Sequence, residues 1–470
     1  MRSICLKRYF FWLLATQLLC SAATHAQVLF QSGFETATYY VAPTGSDTLG
    51  AGTSSAPWKS FAKGFTSMQG GDTLVLKNGV YTELMGTPTQ PPSGSVSQLT
   101  IIRAENDGGA VINGGGSQTP LVLSNSYIRV EGLKFINGDD DVGRLDGSFL
   151  QIVRSGFGNA GSGQYDQIMG VNGNQILVED VWLWGRGKAG IIAYGSDHVF
   201  RRVVIRLDGY SGPGATLGYI GITLYDTTNA IVENCIALDF APSATPFDWK
   251  GGFRSRDQGD TRSQQFFGDI VLNVPYDGFR LSDTHGENLL AWNIAGRGGV
   301  YEDTFKPNFR ISNATVGASS SGGINTNLSL VTHSLIYQTS GTSTGGSFNH
   351  FFATTTPAGA ANALSTNPQL RYITRIEPGS PGYGSGQSGL NRGATIVNRY
   401  HNGVLTHHAL WPWPNEARIK ADFQTNFNLA GINPRRGFAA DGSGLRGTPI
   451  TLTSYIWEYL GNACPVEICP

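Results

Sequence analysis

Basic side chains recur at matching positions of several similar segments in the middle of the chain. Each segment opens with a glycine; Arg254 and Arg280 stand two residues after theirs, and Arg256 stands four residues after. Lys250 and Arg297 each stand two residues before such a glycine. Cations that lie close together repel one another unless anions accompany them. Only 14% of the residues in this chain are charged, so a group of basic residues is unusual here. The pattern favours a groove that binds an acidic ligand.

A polymer of uronic acids is a ligand with which such a groove can do chemistry. β-Elimination removes the proton at C5, which becomes acidic enough once calcium or Arg and Lys side chains neutralise the neighbouring carboxylate. A lysine or arginine can remove this proton where nearby cations favour its neutral form, and the C4 oxygen leaves with help from an acid. The predicted roles are base for Arg280 or Lys250, proton donor for Tyr225 or Tyr301, and substrate binding for Lys188, Trp249, Arg254, Arg256, Asp277, Arg297 and Asp303.

Three alternatives use the same region differently. Asp226, Asp257 and Asp283 each stand five residues after a glycine and can pair with the arginines in a purely structural ladder. A glycoside hydrolase needs two carboxylates across the scissile bond. The candidate pairs are Asp257 with Asp283 and Asp277 with Asp303. A non-catalytic protein for carbohydrate binding or adhesion would hold an acidic glycan without cleaving it. Because basic residues outnumber acidic ones here, a polysaccharide lyase is the leading hypothesis.

The elements that must position these side chains repeat along the chain. Glycines open six similar segments at spacings of 21 to 31 residues, which is the length of one solenoid coil. The residue after each glycine is apolar, as period-two alternation on a strand requires. Stacked coils place equivalent residues about 4.8 Å apart, so the spacing predicts that the basic residues share one surface. The apolar residues are Ile191, Ile222, Phe253, Phe279, Val300 and Ile324.

The segment from residue 39 onward resembles the start of secreted right-handed parallel β-helix proteins of the pectate-lyase-like superfamily. The similarity rests on residues 39–81, which contain a strand pattern, an amphipathic stretch and a Gly-Asp turn before an apolar strand. Residues 231–235 and 289–293 are apolar strands broken by asparagine. The resemblance covers roughly residues 39–394 and implies an all-β fold. This fold is a right-handed parallel β-helix (solenoid) with an N-terminal cap and a C-terminal tail packed on the helix.

One coil is also similar to the catalytic strand of polysaccharide lyase family nine. Residues 276–281 read Tyr-Asp-Gly-Phe-Arg-Leu, and the family carries its catalytic lysine in a Gly-Phe-Lys-Leu strand, so Arg280 takes the position of the base. The preceding coil of that family has an Asp-Asp-Gly-Trp-Asp calcium motif, whereas residues 250–254 here read Lys-Gly-Gly-Phe-Arg. The resemblance implies that this calcium site is absent and that Lys250 and Arg254 neutralise the substrate directly. No cofactor is required by the sequence, Ca²⁺ binding elsewhere stays open, and no metal ligand is assigned.

Pattern and composition divide the chain into five segments. They are a signal peptide at residues 1–26, a linker at 27–38, an N-terminal cap with the first strands at 39–98, the parallel β-helix at 99–394 and a C-terminal tail or cap at 395–470. The signal peptide is predicted from basic residues before an apolar stretch too short to span a bilayer, so we expect a secreted or periplasmic protein without a membrane anchor. The net charge of −1 argues against general polyanion coating. We expect an acidic polysaccharide as substrate, no nucleic acid as partner, and a monomer.

Cysteine and tryptophan residues give expectations about the packing. Cys464 and Cys469 close a short loop near the C-terminus and are expected to form a disulfide outside the cytoplasm. Cys235 stands at an apolar strand position and is expected to be plain core. Trp411 and Trp413 in the tail are expected to seal the open end of the core. The coils themselves are expected to begin near residue 99 and to end near residue 345.

Overall fold

Single strands show the alternation on which this fold depends. In the strand Thr100–Ala104, the side chains of Thr100, Ile102 and Ala104 are buried, and the two between them are half-buried. One face of such a strand packs inside the protein and the other faces outwards. The computed structural model describes residues 36–161, 166–209, 220–241, 251–256, 264–275, 277–282, 284–292, 300–302, 310–317, 324–325, 331–338, 346–429 and 431–470, with the backbone alone for 300–302 and 324–325.

Within these residues the strands form three long sheets. Sheet A contains β1 Thr38–Val41, β2 Thr73–Leu76, β4 Thr100–Ala104, β7 Ile128–Glu131, β10 Gln151–Val153, β13 Leu177–Glu179, β16 Val199–Arg201, β19 Ile231–Glu233, β22 Gln264–Phe267, β25 Thr284–Glu287, β28 Arg310–Ser312 and β31 Val331–Thr332. Sheet B contains β3 Gly79–Tyr81, β5 Ala110–Asn113, β8 Lys134–Ile136, β11 Gly156–Gly158, β14 Trp182–Arg186, β17 Val204–Gly209, β20 Ile236–Leu238, β23 Ile270–Leu272, β26 Leu290–Trp292, β29 Thr315–Gly317, β32 Leu335–Tyr337 and β33 His350–Phe352. Sheet C contains β6 Leu121–Leu123, β9 Gly143–Leu145, β12 Gln167–Val171, β15 Ala189–Ala193, β18 Ile220–Tyr225, β21 Gly251–Arg256, β24 Asp277–Leu281, β27 Val300–Glu302 and β30 Ile324–Asn325.

The chain visits the sheets in the order A, B, C, and each pass stacks on the one before. Strands β13, β14 and β15 pair in parallel with β16, β17 and β18 of the next coil. Connections between parallel strands of one sheet are right-handed in nearly all proteins. The fold is a right-handed parallel β-helix, which confirms the predicted fold class. Tyr39–Pro470 is one compact unit.

Apolar side chains repeat in register through the interior of the coils. Ile191, Ile222 and Phe253 occupy paired positions of neighbouring strands in sheet C, and Phe279 continues the column. All four side chains are 0% exposed. Burial of a side chain of this size contributes roughly 1.5–3 kcal/mol to the free energy of unfolding. The predicted alignment of the glycine-led segments is therefore confirmed for these four coils.

Asparagines at the corners of the coils turn the chain from one sheet to the next. Asn234, Asn288 and Asn313 lie between sheets A and B with φ between 52° and 53°, and Asn273 follows sheet B with φ 53°. This left-handed backbone is costly for most residues but accessible to asparagine, because its short side chain can bond locally. Asn234, which interrupts the apolar strand 231–235 in the sequence, is thus a turn residue, whereas Asn293 lies outside the described residues.

The coils begin earlier and end later than the sequence predicted. Strand β2 pairs in parallel with β4, and β3 pairs with β5, so stacking starts before residue 99. Leu74 already pairs with Ile102, which means that the interior column begins at β2. A short helix, α1 Phe61–Ser67, precedes this strand, and the hydroxyl of Ser60 caps it. At the other end β33 extends sheet B beyond residue 345 by pairing with β32.

The C-terminal tail covers the outer face of sheet B. Trp182 and Trp184 of β14 form one buried cluster with Trp411, Trp413 and Trp457 of the tail. The expectation that tail tryptophans seal the end of the core was wrong, because the outward residues of sheet B are themselves large and apolar and must be covered. The elements of the tail are the antiparallel hairpin of β34 Asn398–His401 with β35 Val404–Ala409, and the helices α2 Glu416–Phe423 and α3 Leu452–Trp457.

The cysteines behave as the sequence predicted. Cys464 and Cys469 form a disulfide, and Cys235 is a buried free thiol in the core. The predicted signal peptide lies outside the described residues. Within the described part of the chain, no helix has the length and hydrophobicity needed to cross a membrane.

Candidate functional site

The middle of sheet C carries two paired arginines on its outer face. Thr223 of β18 pairs with Arg254 of β21, and Arg254 pairs with Arg280 of β24. The backbones of Tyr301 and Asn325 continue this line, which we call the middle column. Its members alternate with the apolar interior column, so they lie on the outer face. Because neighbouring strands are about 4.8 Å apart, Arg254 and Arg280 bring two guanidinium groups onto adjacent strands.

The two arginines differ in how far they are exposed. Arg254 is 5% exposed, whereas Arg280 is half-buried. A ligand on this face therefore meets Arg280 more readily than Arg254. The charge of Arg254 still acts on such a ligand, because electrostatic attraction is strong where water is excluded.

A second line of side chains follows the edge where the strands of sheet C end. Tyr225 of β18 pairs with Arg256 of β21, and the guanidinium carbon of Arg256 lies 4.8 Å from the centre of the Tyr225 ring. The ring of Tyr194, one coil earlier, lies 5.3 Å from that of Tyr225. Tyr194 is 43% exposed, and Tyr225 and Arg256 are half-buried. This edge combines two neighbouring aromatic rings with a cation.

The opposite edge of sheet C holds two further predicted residues. Lys188 lies just before β15 and is half-buried, and burial lowers the pKa of its ammonium group. Asp277 is the first residue of β24 and is 1% exposed. Lys188 is six residues before Tyr194, which corresponds to roughly 20 Å along an extended strand. The structure therefore spreads the described candidates over two edges and the middle of one sheet.

Several predicted residues lie outside the described part of the chain. They are Trp249, Lys250, Arg297 and Asp303, together with the side chain of Tyr301 and the hydrolase candidates Asp257 and Asp283. Their roles stay predictions. Asp226 is described; its backbone has φ 54°, and its amide donates to the carbonyl oxygen of Arg256 at 2.9 Å. This aspartate therefore lies in the turn that follows β18.

Buried hydroxyl groups tie β21 to the next coil beneath the arginines. The Oγ of Ser255 accepts from the amide of Ser282 at 2.7 Å and lies 3.1 Å from the Oγ1 of Thr284. All three residues are buried. Ser255 stands between Arg254 and Arg256, so these hydrogen bonds fix the strand that presents both arginines. The sequence analysis did not predict this contact. A signal was present, because Ser255 stands where the two preceding coils have an apolar residue, Leu224 and Ala193.

Sequence reasoning also missed a group of carboxylates beside the same sheet. Asp141 is 7% exposed just before β9, and Asp166 is 5% exposed just before β12. Burial raises the pKa of Asp141 to about 7; the amide of Gln167 and the guanidinium of Arg144 lower it, and the carboxylates of Asp140 and Asp166 raise it. The run of three aspartates at 139–141 was the available signal.

The described residues do not fit the calcium site of family nine. That motif corresponds to residues 250–254, of which Phe253 is 0% exposed in the core and Arg254 is a cation. Calcium takes oxygen ligands, which neither side chain offers. Elsewhere among the residues described, no three or more His, Cys, Asp or Glu side chains are grouped so as to hold a metal ion.

Similarity to known proteins is confined to solved structures. No protein-family model matches the chain, and no curated protein is similar to it. Pectate lyase Pel9A is 18% identical with a TM-score of 0.44, over 72% of this chain and 80% of that one. An alginate lyase from Paenibacillus sp. str. FPU-7 is 14% identical with a TM-score of 0.36, over 65% and 94%. The GH136 lacto-N-biosidase from Eubacterium ramulus is 11% identical with a TM-score of 0.36, over 77% and 71%. These likenesses concern the fold alone, and the three parallel sheets show this fold, a parallel β-helix, on their own.

Proposed function

We propose that this protein is a secreted or periplasmic polysaccharide lyase that cleaves an acidic, uronate-containing polysaccharide by β-elimination on the outer face of sheet C. The observation that carries the proposal is the pairing of Arg254 with Arg280 on adjacent strands. Two guanidinium groups at this spacing attract a carboxylate, and arginine binds carboxylates in a bidentate, charge-assisted way. A long sheet with a cationic outer face suits a chain-like anion better than a small one.

The proposal gives the two arginines different tasks. Arg254 neutralises the carboxylate of the bound uronate by its charge, which makes the proton at C5 more acidic. Arg280 is more exposed and, acting as a neutral guanidine, removes that proton and becomes a guanidinium. Lys250 is the alternative base, and it lies outside the described residues.

The bonds change in a single elimination. The proton at C5 moves to the base, the electron pair of the C5–H bond forms a C4–C5 double bond, and the bond from C4 to the leaving oxygen breaks. That oxygen takes a proton from an acid. Tyr301 pairs with Arg280 in the ladder, so we assign it as the donor.

The proposal needs no cofactor and no second subunit. Arginine supplies at sheet C the positive charge that calcium supplies in other elimination sites. Pectate and alginate lyases are among the similar solved structures and share the fold, but the support for this chemistry comes from the side chains of sheet C.

The purified protein tests the proposal when it is mixed with pectate, alginate, glucuronan or chondroitin chains. Elimination creates an unsaturated sugar end, which is followed by its ultraviolet absorbance with and without a chelator. We expect absorbance to rise with one of these polymers and to be unaffected by the chelator. New reducing ends without absorbance would indicate a hydrolase instead, and the absence of both signals would favour a binding protein.

A further inference from the structure

Tyr194 takes no part in the elimination proposed above, yet its ring is held beside a second ring at the surface. It stands at the end of sheet C with 43% of its surface exposed, 5.3 Å from the ring of Tyr225. We call these two residues the tyrosine platform. An aromatic ring that served only for packing would gain more from full burial.

The backbone that presents Tyr194 is fixed by neighbouring groups. Its amide donates to the carbonyl oxygen of Val171 at 2.8 Å, and its own carbonyl oxygen accepts from the Nε2 of His198 at 2.6 Å. His198 is 0% exposed, and its Nδ1 accepts from the amide of Ile176 at 3.4 Å. A ring that is ordered before a ligand arrives loses little conformational entropy on binding.

Polar groups flank the tyrosine platform along the stacking direction. On one side, the guanidinium of Arg256 lies over the ring of Tyr225, 4.8 Å from its centre. On the other side, Asn172 occupies the position equivalent to Tyr194 one coil earlier and donates from Nδ2 to Asp146 at 2.7 Å. The edge therefore presents an amide, two rings and a cation in successive coils, about 4.8 Å apart.

We propose that the tyrosine platform binds one sugar ring of the acidic polysaccharide by stacking, and that Arg256 binds the carboxylate of an adjacent sugar. Tyrosine presents an apolar face together with a polar hydroxyl, which suits a sugar ring with C–H bonds on its face and hydroxyl groups at its rim. The identity of the ligand rests on the function proposed above; the position of the subsite does not.

The geometry also gives Tyr225 a different role from the one expected from sequence. It lies two strands from Arg280, which corresponds to roughly 10 Å, and near the edge rather than in the middle column. The Tyr225 ring instead lies beside the ring of Tyr194 and the guanidinium of Arg256. We therefore infer that Tyr225 binds the substrate, and Tyr301 keeps its proposed role as proton donor.

Variants of Tyr194 test the subsite with acidic oligosaccharides of two lengths. Tyr194→Ala removes the ring, Tyr194→Phe keeps it, and Tyr383→Ala removes a tyrosine that is 49% exposed outside sheet C. We would measure binding of a trisaccharide and an octasaccharide of each polymer by calorimetry, elimination by absorbance, and the melting temperature of every variant.

We expect Tyr194→Ala to weaken octasaccharide binding about five- to tenfold and trisaccharide binding by a similar factor, because two adjacent sugars suffice to occupy the platform and Arg256. Tyr194→Phe and Tyr383→Ala should stay within twofold of the wild type. If Tyr194→Ala and the wild type bind both the trisaccharide and the octasaccharide with equal affinity, the proposed subsite is wrong. The proposed lyase activity would be unaffected by that result. Weaker binding of both ligands to Tyr194→Ala, without any elimination by the wild type, would support the subsite and overturn the lyase. If the wild type binds no acidic oligosaccharide, both proposals are wrong.

Discussion

A guanidinium group can act on a substrate by contact or through its electric field, and the proposed function assigns one of these actions to each arginine of the middle column. Arg280 is half-buried at the outer face, whereas Arg254 is 5% exposed on the adjacent strand. A charge that is largely removed from water acts over several ångströms with little screening. In the proposed function, Arg254 therefore contributes the electrostatic potential at the place where Arg280 contacts the substrate.

Asp141 makes stability depend on pH. Burial raises its pKa to about 7, so between about pH 4 and 7 the folded protein keeps a proton that the unfolded chain releases. The free energy of unfolding therefore falls as the pH rises through this window. We expect Asp141→Asn to be more stable than the wild type at pH 8, by up to roughly 4 kcal/mol, and equally stable at pH 4.

Urea denaturation of both proteins at the two pH values measures this difference. Asp139→Asn is the control, because Asp139 is exposed and its substitution should change stability little at either pH. A difference between Asp141→Asn and the wild type that is the same at pH 4 and pH 8 would contradict the assignment.

Ser255 couples the arginine-bearing strand to the coil that follows. Ser255→Ala leaves the amide of Ser282 without its side-chain acceptor, and an unsatisfied buried amide costs about 1–3 kcal/mol. We expect a loss of this size in the free energy of unfolding, measured by urea denaturation. Ser117→Ala, at an exposed turn, should lose less than about 0.5 kcal/mol. Equal losses in the two variants would show that the buried hydrogen bonds contribute nothing specific.

At the scale of elements, helix α2 fastens the C-terminal tail to sheet B through one carboxylate. Asp422 is 4% exposed; it accepts from the Nε1 of Trp182 at 2.8 Å and forms an ion pair with Lys134. These partners belong to β14 and β8, so a single side chain holds the helix to two strands of the sheet. Arg418 of the same helix lies over the Trp182 ring at 4.8 Å.

Removal of this charge should loosen the tail. We expect Asp422→Asn to lower the free energy of unfolding by roughly 1.5–3 kcal/mol, because hydrogen bonds to a charged group are lost. Limited proteolysis should then cut faster within residues 395–470. Asp441→Asn is the matched control, since the side chain of Asp441 is 67% exposed. Unchanged proteolysis of Asp422→Asn would contradict a fastening role.

The sequence predicted sheet C well because its glycine-led segments share one alternation of apolar and outward residues. That alternation aligned Arg254 with Arg280, and the ladder confirms the register. The packing of the C-terminal tail on the outer face of sheet B could not be predicted in the same way. Trp182 and Trp184 face outwards with Leu183 between them facing the core, so both faces of the strand are apolar and the pattern does not say what lies outside.

The sequence analysis also did not identify residues whose properties depend on burial. The raised pKa of Asp141 arises from desolvation, and the fixed carbonyl of Tyr194 depends on a histidine that is 0% exposed. Neither property is visible in residue type or spacing, because both depend on how closely the coils pack.

At the scale of the whole molecule, a net charge of −1 conceals local groups of charged side chains. On sheets A and B arginines are paired with carboxylates: Arg201 with Glu233 at 2.5 Å, and Arg206 with Asp208 at 2.8 Å. On sheet C, Arg144 is likewise paired with Asp146 at 3.0 Å, while Arg254 stands next to Arg280 and Arg256 next to Tyr225 in the ladder. The C-terminal tail covers the outer face of sheet B. Of the outer faces of sheets B and C, that of sheet C is therefore the one that can present charged side chains to a long anion.

The most direct test compares the initial rate of elimination for the wild type, Arg280→Ala and Arg310→Ala on the polymer that gives the strongest absorbance. Arg310 is an exposed arginine on β28 of sheet A and serves as the matched control. We expect Arg280→Ala to lose at least about a hundredfold in rate, the least that removal of a general base costs, while its melting temperature and that of the control stay unchanged. Arg310→Ala should retain the wild-type rate. A wild-type rate for Arg280→Ala would contradict elimination at the middle column of sheet C.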